Sequence, residues 1–63
     1  MKIHEDVTID RVMKAAISDN NLGFCINCGE SAYGVEPDAR EYACESCEER
    51  AVYGAEELVI MMA

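Results

Sequence analysis

A small metal-stabilised α+β domain is the fold class the sequence predicts, on three observations. The chain has 63 residues, and domains this short have a marginal core and often carry a metal, disulfides or an oligomer interface. Residues 8 to 21 place apolar side chains at helical spacing. All four cysteines fall in two Cys-x-x-Cys pairs, Cys25/Cys28 and Cys44/Cys47, within a segment of turns and short β-favouring runs. Together these predict one domain over residues 1–63: a helix over about 8–20, a four-cysteine ribbon over 24–53 and a strand or hairpin tail over 54–63.

The helix is expected in "TIDRVMKAAISDNN". Ile9, Val12, Met13, Ala16 and Ile17 recur at i, i+3, i+4, i+7 and i+8 and are expected to form the buried stripe. Thr8 is a suitable N-cap, and Asp10 in the first turn complements the helix dipole. Asn20, Asn21 and Gly23 supply the left-handed conformations that end a helix. Arg11, Lys14 and Asp19 fall on the other face as solvated charges.

The cysteine segment reads as strands and turns. Phe24 precedes the first pair, "EYAC" leads into the second, and "EPD" at 36–38 is a turn with proline at a favoured position. "RAVY" at 50–53 is expected to be a strand. The tail "EELVIMMA" is ambiguous, with helix-forming residues beside β-favouring Val59 and Ile60, and a strand paired with 50–53 is the preferred expectation. On a strand, Leu58, Ile60 and Met62 face one way and Val59 and Met61 the other. Both faces are then apolar, which makes a homodimer through the tail an expectation; a tail wrapped between helix and sheet is the alternative.

Cys25-x-x-Cys28 and Cys44-x-x-Cys47 are separated by fifteen residues. Each turn presents two sulfurs on one side of a metal, and two such turns complete a tetrahedron. This predicts one zinc per chain in a zinc ribbon of two knuckles, ligated by Cys25, Cys28, Cys44 and Cys47, with iron the alternative metal. Two disulfides would need an oxidising compartment, and a thioredoxin-like redox pair needs a βαβ scaffold that 63 residues do not supply. A site closed by four thiolates serves structure, because catalytic zinc keeps an open position for water.

The formal net charge is −8, and it is unevenly placed. Residues 1–24 carry four carboxylates against three cations, whereas residues 25–63 carry nine against Arg40 and Arg50. Such a chain repels phosphate backbones and favours a basic protein surface as partner. No apolar run approaches a membrane span or a secretory signal, so a cytoplasmic location is expected, with no membrane partner. His4, the only histidine, is expected at the surface, with an accessory ligand role as the alternative. Glu48–Glu49 and Glu56–Glu57 are expected to be solvated, and Tyr33, Tyr42 and Tyr53 to pack in the core or across hairpins. No nucleophile–base arrangement or phosphate loop stands out, so no catalytic residue is assigned and an enzyme is not expected.

The stretches "GFCINCG", "GVEPDAREYACESC" and "VYGAEEL" resemble a group of small zinc-ribbon proteins of bacteriophages and prophages. The resemblance covers residues 23–58 closely and the helix loosely, and it implies Cys25, Cys28, Cys44 and Cys47 as ligands. The group has no established activity to carry over. Here Glu48 stands where a glycine often follows the last cysteine. More distantly, the cysteine pattern is similar to the zinc finger of the DksA/TraR family, which binds RNA polymerase. The present chain lacks that family's long coiled coil, and its expected hairpin tail departs from the family's helix.

The expected function is therefore a non-enzymatic zinc ribbon acting as a protein-binding adaptor or modulator, phage-related, with a host transcription or nucleic-acid enzyme among its targets. Its acidic face, around Glu36, Asp38, Glu41, Glu45, Glu48 and Glu49, and its apolar tail are the expected contacts; solubility alone is the plain alternative for the acidic face. A nucleic-acid-binding ribbon is the alternative class, and requires Lys2, Arg11, Lys14, Arg40 and Arg50 to gather on one face. A purely structural subunit of a larger assembly is a third.

Overall fold

The computed structural model describes residues 3–18 and 21–62, and within them the chain is a small α+β fold. In chain order the elements are α1 (Ile9–Ser18), β1 (Leu22–Cys25), β2 (Ser31–Tyr33), β3 (Tyr42–Ala43), β4 (Arg50–Gly54) and α2 (Ala55–Met62). The strands form one antiparallel sheet in the order β2-β1-β4-β3. Each cysteine pair lies in the turn of a hairpin, β1–β2 or β3–β4. The hairpins join through β1 and β4, with Phe24 opposite Tyr53 and Cys25 opposite Val52.

That register divides the core. Side chains alternate faces along a strand, so Phe24 and Tyr53 lie on one side of the sheet and Cys25 and Val52 on the other. On the first side, Phe24 and Tyr53 pack with Val7, Val12, Ala15, Ala55 and Leu58, joining both helices to the sheet. On the second, Cys25, Cys44 and Val52 pack with Val35 and Ala39. The cysteines thus form part of the second core.

α1 starts where the sequence places it: the Thr8 hydroxyl accepts the Arg11 N–H at 3.3 Å and the Thr8 carbonyl accepts the Val12 N–H at 3.0 Å. Its buried face differs from the expected stripe. Val12 is fully buried and Ala15 nearly so, while Ile9, Met13 and Ile17 are 39%, 49% and 81% exposed. The helix is rotated to set its small side chains against the neighbouring elements, because Ala15 and Ala16 permit a closer approach than isoleucine. Arg11 is not simply solvated. Its guanidinium covers the Phe24 ring at 4.9 Å and also donates to the Asp6 carbonyl. Asp19 and Asn20 lie outside the described residues. Gly23 is no helix terminator; it lies within β1, where a Cβ would meet the Tyr53 carbonyl at 2.6 Å and Val35 at 2.8 Å. The chain turns instead at Asn21, with φ 50°.

The expected strand at 50–53 is present as β4, and the turn at 36–38 is closed by the Ala39 N–H donating to the Glu36 carbonyl at 3.0 Å. The tail corrects the expectation: Ala55–Met62 is a helix, not a strand or hairpin. Glu56 and Glu57 occupy its first turn, where carboxylates complement the dipole, and the Glu57 N–H finds the Pro37 carbonyl at 3.0 Å. The preceding Gly54 donates to the Ala39 carbonyl at 3.0 Å, and a Cβ there would meet the carbonyl oxygens of Glu36 and Pro37. The turn at 36–39 therefore caps α2, and only glycine lets it approach. Packing on α1 outweighs the β preference of Val59 and Ile60.

Glu57 is likewise not solvated. It is 9% exposed, with its carboxylate 3.0 Å from the Arg40 guanidinium. Of the tyrosines, Tyr53 is core, Tyr33 is 79% exposed, and Tyr42 is 42% exposed with its hydroxyl donating to Glu36.

Candidate metal centre

The two cysteine turns have the same local geometry. In the first, the Gly29 N–H donates to the Cys25 carbonyl at 2.9 Å and the Cys25 N–H to the Glu30 carbonyl at 2.8 Å. In the second, the Glu48 N–H donates to the Cys44 carbonyl at 2.9 Å and the Cys44 N–H to the Glu49 carbonyl at 2.8 Å. The residue after each pair is left-handed, Gly29 at φ 84° and Glu48 at φ 65°. Glu48 therefore keeps the turn a glycine would make, with backbone strain of about 1–2 kcal/mol for an L residue. Glycine at this position would relieve that strain and lose some of the gain to its own chain entropy. Glu48→Gly is expected to stabilise the metal-loaded chain by about 0.5–1 kcal/mol, read as a higher melting temperature. A lower melting temperature would show that the glutamate side chain contributes something the backbone argument omits.

The four sulfurs meet between the turns. Cys25 Sγ lies 3.6 Å from Cys47 Sγ, and Cys28 Sγ 3.6 Å from Cys44 Sγ. All four lie within 4.8 Å of one another. Metal–sulfur bonds of ~2.3 Å in a tetrahedron set the sulfurs about 3.8 Å apart, so the cluster is of the size that one ion needs. The thiols are free, and 3.6 Å is far beyond a sulfur–sulfur bond. Cys25 and Cys44 are buried, whereas Cys28 and Cys47 are partly exposed.

His4 and the nearby glutamates are not members of this cluster among the described residues. His4 instead fixes the segment before α1. Its backbone N–H donates to the Ile26 carbonyl at 2.7 Å, and its Nδ1 accepts the Asp6 N–H at 3.1 Å. A Cβ on Gly29 would meet that Nδ1 at 2.8 Å, so the segment rests directly on the first cysteine turn.

The sulfurs differ electrostatically. The Asn27 side-chain amide donates to Cys47 Sγ at 3.4 Å, and this bond, followed by the Glu49 backbone N–H, brings the Cys47 thiol down to about 7. At Cys28 the largest influence, the Glu30 backbone N–H, lowers the pKa. Desolvation and the sulfurs of Cys25, Cys44 and Cys47 together outweigh it and push the thiol up to about 12. Burial raises Cys25. A metal-free cluster therefore resists holding four thiolates, and a divalent ion bound there would supply the compensating charge.

Sequence patterning carries no signal for Asn27, because its amide crosses to a sulfur 20 residues away on the other hairpin. Hydrogen bonds to ligand atoms orient them and tune metal affinity. Asn27→Ala is expected to leave the circular-dichroism spectrum unchanged and to release metal to a chromogenic chelator about tenfold faster. An unchanged release rate would remove Asn27 from the site.

Fold and cluster together define a small α+β domain with a four-cysteine site able to hold a metal ion. The chain matches no protein-family model, and no curated protein or solved structure shows significant similarity to it.

Proposed function

We propose that the chain is a structural-zinc ribbon, related to those of phages and prophages, that works as a non-enzymatic protein-binding adaptor or modulator. One observation carries the metal-site part of this reading: four sulfurs, two from each hairpin, lie within 4.8 Å of one another. A four-thiolate shell leaves no position for activated water, so the ion's contribution is to the fold. Zinc suits the shell by charge, softness and tetrahedral preference, and iron is separated from it by elemental analysis.

The surface supports a basic protein partner. Glu36, Asp38, Glu41, Glu45, Glu48 and Glu49 are all exposed, around or just before the second cysteine turn. The nucleic-acid alternative is less well served. Arg11 is engaged over Phe24 and Arg40 is paired with Glu57, so two of the five cations that reading needs are already committed; Lys2 lies outside the described residues. The helical tail removes one contrast with the DksA/TraR-type finger, and a transcription enzyme stays among the candidate targets. Among the described residues no helix is long and apolar enough to cross a membrane.

The test is capture from host lysate by metal-loaded chain, beside a Glu41→Lys/Glu45→Lys/Glu49→Lys variant. The expected result is a stoichiometric protein partner that survives nuclease, weakens with salt and is lost with the charge-reversed variant. Capture that disappears on nuclease treatment would replace this reading with the nucleic-acid one.

A further inference from the structure

We infer that the outer face of the two-helix layer is a self-association surface, and that its occupant is a second copy of this chain. Both helices pack on the same side of the sheet and against each other. Burying Val12 and Ala15 leaves Ile9, Met13 and Ile17 exposed at i, i+4 and i+8 along α1. On α2, Ile60 is 72% exposed, next to the half-buried Val59. Four of the six large exposed hydrophobics among the described residues therefore lie on these two short helices. Polar-rimmed apolar patches of this kind mark interfaces.

Charge selects the occupant. A chain of net charge −8 repels its own copies over most of its surface. The helices are the exception. α1 and α2 together carry Arg11 and Lys14 against Asp10, Glu56 and Glu57, a net of −1, and Glu57 is already paired with Arg40. Lys14 lies one turn before Ile17 and Glu56 one turn before Ile60, and neither has an ion-pair partner among the described residues. A two-fold interface is self-complementary: whatever α1 presents to the partner's α2 is returned. Laying α1 on the α2 of the second copy covers isoleucine with isoleucine and brings Lys14 to Glu56 twice. A standard interface takes ~800 Å² from each partner, about a fifth of the 4265 Å² surface. The broadest face of a body 27 × 22 × 15 Å in extent spans roughly 600 Å² in projection, which places the contact at the small end of specific interfaces and makes the dimer a weak, concentration-dependent one. The contact uses none of the four cysteines and none of the acidic residues around the second turn, so this inference stands independently of the adaptor reading.

Sedimentation equilibrium of the zinc-loaded chain, from about 1 to 500 µM in low salt, tests it. The expected mass rises from 7.0 kDa towards twice that value. Ile17→Asp and Ile60→Asp, both at exposed positions and therefore fold-neutral by circular dichroism, are expected to keep the chain monomeric throughout. Lys14→Glu and Glu56→Lys are each expected to weaken association at least tenfold, and the double exchange to restore it to within about threefold. A wild-type chain monomeric over the whole range would overturn the inference. So would a dimer indifferent to the two aspartates, or a double exchange that fails to restore association.

Discussion

Cys44→Ser, or extraction of the metal by a strong chelator, is expected to unfold the chain rather than silence a folded one. Cys25 and Cys44 are core residues in their own right, packed with Val35, Ala39 and Val52 on the second face of the sheet. The β3–β4 hairpin has only two residues in β3, Tyr42 and Ala43, both exposed. Its own hydrogen bonds are few, the short pairing of β3 with β4 and the two backbone bonds of the turn, so the sulfur cluster carries much of its closure. Structural zinc contributes an apparent ~10–16 kcal/mol to folding, against a net stability of about 5–15 kcal/mol for ordinary domains. Losing one of four ligands is therefore expected to remove most of the far-UV circular-dichroism signal and the cooperative melt at 25 °C. A Cys44→Ser chain with the wild-type spectrum and melting temperature would show that the apolar cores suffice alone.

The second large effect separates two neighbours in the tail. Leu58→Ala is expected to cost about 2–5 kcal/mol, because Leu58 is fully buried among Val7, Val12, Phe24 and Tyr53. Ile60→Ala, in dilute protein, is expected to change stability by no more than about 0.5 kcal/mol, since Ile60 is 72% exposed. On a strand the two side chains would share a face and the two substitutions would cost similar amounts. On α2 they lie on opposite sides. Thermal or denaturant melts of the two variants measure the contrast, and equal losses would contradict the helical tail.

The parts of the molecule that were legible in the sequence are those with a local cause. The cysteine site follows from two Cys-x-x-Cys turns, since each is a self-contained hairpin turn with its own hydrogen bonds. Thr8 as N-cap, the turn at 36–38 and β4 were legible for the same reason. What could not be read was set by tertiary packing. The apolar positions of α1 span a wide arc, and only the approach of α2 and Phe24 decides that Val12 and Ala15 go inward while Ile9 and Ile17 stay out. The tail has near-balanced propensities, and its helix is settled by the 36–39 turn meeting Gly54 and by packing on α1. Arg40–Glu57, Asn27–Cys47 and Arg11–Phe24 join residues 13 to 20 positions apart, beyond the reach of periodicity.

One ion held by four sulfurs is proposed to close the fold. Elemental analysis of the purified chain, combined with X-ray absorption at the metal edge, tests it directly. The expected result is one zinc per chain with four sulfur neighbours at ~2.3 Å and no lighter atom bound to the metal. A folded chain with little metal and four titratable thiols, or a shell containing nitrogen or oxygen, would contradict it.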